Sequence, residues 1–208
     1  IVHNMAIKTF MSDWCYLNPR LKPGKELCDL LVVFDDVAIV WQVKDLKLDK
    51  NGKYKKAEVD KNLKQLAGAK RQLFELKRKI ELFNPRRGKD YFDPTPIKEI
   101  YLISVLLGEG EDYYSALEET KGSDVHVFNK SFTQTVLNEL DTISDFCEYL
   151  RAKEGLFLGK RKRLIVSGGE EELLGAYIRD GRSFDQFKEV DEVIIEGNIW
   201  ESLKEDSR

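Results

Sequence analysis

The chain of 208 residues has only three cysteines, Cys15, Cys28 and Cys147, which are far apart and odd in number. They make no disulfide framework and no CxxC pair, and free thiols of this kind point to a reducing, cytoplasmic setting. Histidine is scarcer still, with His3 and His126 the whole supply. A zinc site or a histidine-based nuclease motif has too few ligands to work with. No apolar run reaches the roughly 20 residues that span a bilayer, so a membrane partner is not expected. The first residues from Ile1 lack the basic, apolar and small-residue order of a secretory leader. Chemistry is therefore left to carboxylates, amides and lysines.

Those are plentiful. Hydrophobic residues make up 42% of the chain and charged ones 34%, a balance that builds one buried core with an appendage. The formal charge of −3 conceals a basic block. From Lys44 to Lys89 sixteen Lys or Arg stand against six Asp or Glu, a local charge of +10 that leaves −13 for the remainder. Such a block fits a polyanion lying on one face, and equally a solvated helix face.

The order of elements follows from periodicity. His3 to Trp14 reads as the end of a helix with Met5, Phe10 and Met11 in one stripe, broken at Asn18-Pro19 and followed by a turn at Pro23-Gly24. Glu26 to Phe34, the Asp35-Asp36 turn and Val37 to Lys44 read as a buried hairpin that runs on through Leu48 and turns back at Asn51-Gly52. Leu63, Leu66, Ala67, Leu73, Leu76, Ile80 and Phe83 predict one long basic helix over 58–83. After the loop marked by Pro85, Pro94 and Pro96, Glu99 to Leu107 predicts a strand and Asp124 to Asn129 its neighbour. Ser131 to Lys153 predicts a second long helix capped by Ser131, with Val136, Leu140, Ile143, Phe146 and Leu150 on its apolar side.

Beyond Gly155 come a strand end at LIVSGG, a short helix over 170–179 and a strand over 192–197, which either complete the main sheet or form a small lobe. Lys160 to Arg163 is an exposed loop or a phosphate-contacting patch. The expected fold class is α/β, with a core domain over 1–154 and a C-terminal α/β extension over 155–208.

The hairpin carries the chemistry. A turn centred between Asp35 and Asp36 makes antiparallel partners sum to 71, so Phe34 faces Val37 and Asp29 faces Gln42. Side chains alternate along a strand, which puts Gln42 and Lys44 on one face together with Asp29, while Leu30, Val32, Phe34, Ile39, Trp41 and Val43 point to the other. A carboxylate in such surroundings needs a partner. Mg²⁺ is one, because it takes oxygen ligands and requires only one or two carboxylates; Asp29 and the backbone carbonyl of Val43 offer them, with Lys44 beside the cation. The plain alternative is a cross-strand ion pair of Asp29 with Lys44, worth about 0.2–1 kcal/mol.

Asp29 with Gln42-Val43-Lys44, on a hairpin followed by a basic helix, resembles the PD-(D/E)XK nuclease superfamily in its Q-x-K variant. The resemblance covers about residues 1–107 and implies a restriction-endonuclease-like core of helix, three antiparallel strands, helix and strand. It implies an endonuclease or exonuclease that hydrolyses phosphodiester bonds in nucleic acid, DNA ahead of RNA, with Mg²⁺ or Mn²⁺. Asp29 would be a metal ligand, Gln42 an auxiliary ligand and Lys44 a charge stabiliser; Gln65 resembles the second-helix glutamine of some members, with a solvent-facing helix glutamine as the plainer reading.

Gln42 stands where the family has Glu or Asp, which removes a charge from the metal site. The first-helix glutamate has only Asp13 as a counterpart; Glu26 is the substitute, three residues before Asp29 and so reachable only through a bend or bulge. Lys64, Gln65, Lys70, Arg71, Lys77 and Arg78 are the expected nucleic-acid contacts. A non-catalytic nucleic-acid-binding or protein-interaction module that keeps the fold is the alternative, and a homodimer or a larger multidomain protein both stay open. Gly108 to Gly110 lacks the lysine of a phosphate loop, and His126 on its strand reads as structural.

Overall fold

A computed structural model describes residues 2–22, 25–76, 80–108, 117–158 and 163–206. By contact the chain forms two compact units, Ile1–Leu137 and Asn138–Arg208, whereas periodicity suggested a division after residue 154. The first unit opens with α1 (Val2–Phe10) and a short helical turn, then β1 (Cys15–Leu17), β2 (Arg20–Lys22), β3 (Lys25–Glu26), β4 (Leu30–Phe34) and β5 (Val37–Asp45). Next come α2 (Lys56–Lys70), which runs into a π-helical turn at Arg71–Glu75, then β6 (Ile80–Asn84), β7 (Gly88–Phe92), β8 (Glu99–Leu107), β9 (Leu117–Thr120), β10 (Ser123–Asn129) and α3 (Lys130–Glu139).

Six of these strands form a mixed sheet in the order β1-β4-β5-β8-β10-β9. β1, β4 and β5 are antiparallel neighbours, β5, β8 and β10 run parallel, and β9 is antiparallel to β10. The β4–β5 ladder has the register that its turn dictates, from Phe34 opposite Val37 to Leu30 opposite Trp41. Asp35 takes the turn with φ 52°, a left-handed conformation that aspartate tolerates better than most residues.

Alternation then sorts the two faces. Leu31, Ala38 and Val40 join a core with Val59, Leu63 and Leu66 of α2. Trp41, on the opposite face, is fully buried with its ring 6.3 Å from Phe10 of α1 and 6.3 Å from Phe128. Gln42 and Lys44 continue the α2 side of the strand beyond the apolar pair.

Four expectations need correction. The helix over 58–83 stops at the π-helical turn, and Ile80–Asn84 is a strand paired with β7, burying Ile80 and Leu82 and exposing Glu81 and Phe83. Short apolar runs satisfy periods of two and of three at once, and pairing across the Pro85 turn decides for the strand. The helix over 131–153 is two. Asn129 Oδ1 caps α3 by accepting from Phe132 N at 2.7 Å, and Thr142 Oγ1 accepts from Asp145 N at 3.0 Å to start the next helix. The strand through Leu48 ends at Asp45, leaving a single bridge between Leu48 and Tyr54. In α1 the inward residues are Val2, Ala6 and Phe10, while Met11 is exposed. The Pro23-Gly24 turn and Lys160–Lys162 lie outside the described residues.

The second unit holds α4 (Ile143–Leu158), β11 (Arg163–Val166), α5 (Glu170–Arg179), β12 (Glu192–Ile195) and α6 (Ile199–Asp206). β11 and β12 pair in parallel as a sheet of their own, so the tail does not complete the main sheet. Among the described residues no helix is long and apolar enough to cross a membrane.

Candidate functional site

Asp29 lies one residue before β4. Its N–H donates to the Trp41 carbonyl at 3.0 Å, although the ladder partner of Trp41 is Leu30. Two consecutive residues thus lie against one, which is the arrangement of a β-bulge. On its other side the Asp29 carbonyl accepts from Asn18 N at 2.9 Å. The backbone is held by both neighbouring strands while the chain before it bends away to Glu26. Glu26 is placed by its pairing with Arg20 in the β2–β3 ribbon and by Leu27 N donating to the Pro19 carbonyl at 2.9 Å. Between Glu26 and Asp29 the chain leaves strand geometry at Leu27 and Cys28, and both carboxylates line one cavity.

The Asp29 carboxylate is aimed at β5. Its Oδ2 accepts from Gln42 Nε2 and from Val43 N–H, the latter at 2.6 Å. Since N–H and C=O of one strand residue share an edge, the Val43 carbonyl also faces this edge, past the end of β4. Lys44 is half-buried. Among the described residues its ammonium makes no ion pair, so the cross-strand pair with Asp29 does not form. Behind Gln42, its ladder partner Ser104 is fully buried and accepts from Asn62 Nδ2 of α2 at 2.7 Å.

A cavity of about 330 Å³ opens here, lined by Glu26, Asp29, Gln42 and Lys44 from the strands and by Gln65, Gly68, Arg71 and Gln72 from α2 and its π-helical turn. Of the residues expected from sequence to touch nucleic acid, Gln65 and Arg71 reach this cavity. Lys64 is exposed elsewhere on α2, Lys70 Nζ donates to Ser123 Oγ at 3.3 Å instead, and Lys77 and Arg78 lie outside the described residues. Gly68 and Gln72 were missed. Gln72 had a signal, for it follows Gln65 by two helical turns and so shares its face.

No family model matches the chain, no curated protein is similar to it, and no solved structure matches its fold. The site must therefore be read from its own chemistry.

Among the described residues no cluster of three or more His, Cys, Asp or Glu side chains comes together; the cavity offers the carboxylates of Glu26 and Asp29. That donor set, with the Val43 carbonyl, is all hard oxygen and fits Mg²⁺ or Mn²⁺, which fill their remaining positions with water and phosphate. Gln42 joins it only with its amide turned over, because the nitrogen now faces Asp29. None of the three cysteines lines this cavity. Burial pushes the Cys15 thiol up to about 12 and raises that of Cys28 as well. His126 is fully buried near the rings of Tyr101 and Phe128.

If the basic block lies on a polyanion, affinity should fall steeply with salt. Neutralising about five phosphates gives a log–log slope near −4.5 on duplex DNA and about −3.5 on a single strand. Charge reversal at Lys64 and Arg71 should flatten it by about 2 in fluorescence-anisotropy titrations. An unchanged slope would remove α2 from the binding surface.

Proposed function

We propose that this chain is a metal-dependent nuclease that hydrolyses phosphodiester bonds in nucleic acid, DNA ahead of RNA, using Mg²⁺ or Mn²⁺. The observation that carries the reading is the convergence of Glu26, Asp29, Gln42 and Lys44 with Gln65 and Arg71 on one cavity. The succession of α1, the antiparallel β1, β4 and β5, then α2 and a strand parallel to β5 supports the restriction-endonuclease-like core that the PD-(D/E)XK resemblance implies.

Asp29, Glu26, the Val43 carbonyl and the Gln42 amide oxygen would hold the cation. When bound, it supplies a more acidic water and neutralises phosphate charge. Lys44, unpaired with any described carboxylate, is available to the phosphate oxygens and stabilises charge that grows on them. Gln65 and Arg71 orient the strand from the α2 side. The deciding experiment incubates the protein with labelled DNA and RNA in Mg²⁺, in Mn²⁺ and in chelator. Cleavage in metal alone supports the reading, and no cleavage of any substrate in any metal ends it.

Gln42→Glu refines the assignment. An ionised carboxylate gives a cation more than an amide dipole does, so metal affinity should rise about tenfold and activity at low Mg²⁺ with it. Without metal, two facing carboxylates repel, so the melting temperature should depend more steeply on Mg²⁺ than in wild type. Calorimetry showing no Mg²⁺ or Mn²⁺ binding to either protein, with nucleic acid present, would favour the second reading, a binding module without catalysis. The hydrogen bond from Gln42 to Asp29 speaks for that reading, since it satisfies the carboxylate with no cation.

A further inference from the structure

Gly68 has no packing reason to be glycine. It sits inside α2, it is not among the positive-φ residues, and a Cβ built on it meets nothing within 4 Å. Glycine in a helix interior is less favourable than alanine, chiefly through backbone entropy, so an unhindered alanine would give a firmer helix. Gly68 lines the cavity. On the same side of the helix stand Gln65 and Gln72, whose amides make no hydrogen bond with a described residue. The helix there widens into the π-helical turn that carries Arg71 and Gln72, a departure that recurs at functional sites.

We infer that Gly68 is a clearance through which one unpaired nucleotide of a nucleic-acid strand enters the cavity. Its sugar or base lies on the bare helix backbone between the amides of Gln65 and Gln72. Its phosphate is directed toward Lys44 and Asp29. The cavity size agrees with the class of ligand: about 330 Å³ is at the small end of ligand pockets, roughly 300–1,000 Å³, and suits a single nucleotide. Duplex substrates would then enter only where a strand is frayed or flipped out. This assignment rests on the nuclease reading and names its substrate.

The test uses Gly68→Ala and Gly68→Leu in the full chain, with binding to labelled single-stranded and duplex oligonucleotides of one sequence read by anisotropy in Ca²⁺, beside cleavage in Mg²⁺. Gly68→Ala should raise the melting temperature by roughly 2–4 °C and weaken single-strand binding about 3–10-fold, because a methyl group intrudes on the clearance. Gly68→Leu should stay folded by circular dichroism and lose single-strand binding by about 100-fold or more. Wild type should prefer the single strand.

If wild type binds and cleaves while Gly68→Leu does both equally well, the clearance is wrong and the nuclease reading survives. Equal or tighter binding of wild type to fully paired duplex likewise overturns the unpaired-nucleotide assignment alone. Should wild type bind neither form and cleave nothing, both fall together. A Gly68→Leu protein that unfolds leaves the decision to Gly68→Ala, whose higher melting temperature with undiminished binding would refute the inference.

Discussion

Asp29→Ala is expected to slow metal-dependent cleavage about 10³-fold or more, a loss of ~4 kcal/mol in transition-state stabilisation. The carboxylate is the acidic group of the cavity that is fixed against β5, through the backbone bonds of Asp29 to Trp41 and Asn18 and the side-chain bonds to Gln42 and Val43. Glu26, on an exposed ribbon end, cannot replace it without rebuilding that geometry. Stability should change far less. Truncation leaves the Val43 N–H and the Gln42 amide without their acceptor, at a cost of ~1–3 kcal/mol, partly offset because a half-buried charge goes with it. Asp29→Asn separates the two effects, since one oxygen still accepts from Val43 while the charge is gone. Steady-state cleavage and urea denaturation on the same preparations decide. A folded Asp29→Ala protein that cleaves within about tenfold of wild type would place the reaction centre elsewhere.

The largest stability effect lies in the second unit, at a pair that charge counting treats as solvated. Lys153 is completely buried and its Nζ forms an ion pair with Glu170 Oε1, which also accepts from the Tyr149 hydroxyl at 3.3 Å. Burial raises the Glu170 carboxyl from its ordinary 4.5 to about 7, with Lys153 pulling against it, and burial lowers Lys153. Lys153→Met should cost ~3–5 kcal/mol above neutral pH, where it leaves a carboxylate buried with no cation.

The pH dependence has a definite sign. A carboxyl whose folded value is raised contributes stability that is whole below 4.5 and lost as pH rises through about 7. Without the ammonium that value climbs further, so the loss continues to higher pH. The lowered lysine of the wild type acts in the opposite sense, its contribution growing as pH rises toward its ordinary 10.5, and the variant lacks that gain. The gap between wild type and variant should therefore be smallest at about pH 5–6 and widen above 7, as read from urea midpoints across pH. Lys153→Met with Glu170→Leu, which removes both charges, should return to within ~1 kcal/mol of wild type. A Lys153→Met protein of unchanged stability at pH 8 would mean that the ion pair is not buried in solution.

Much of the site could be read from residues in order. A two-residue turn at Asp35-Asp36 admits one pairing of its strands, and a period of two then fixes which side Gln42 and Lys44 take, so both were legible before any coordinates. The scarcity of histidine and cysteine also determined that any cation here meets oxygen ligands. Other features depended on contacts that local pattern does not carry. Regular alternation put Glu26 on the opposite face from Asp29, whereas the chain leaves strand geometry between them and both line one cavity. Ile80 to Phe83 satisfied a helical spacing until β7 paired with it. Asn129 displaced Ser131 as a cap because its side-chain oxygen reaches the third N–H onward. Lys153 looks like any exposed helix lysine, and Glu170, seventeen residues later, makes its burial bearable. Spacing along a strand or helix is a local property and so is written in the residues themselves. Whether a given face meets water, a partner charge or an empty cavity is set by segments distant in the chain, and that only the tertiary structure could decide.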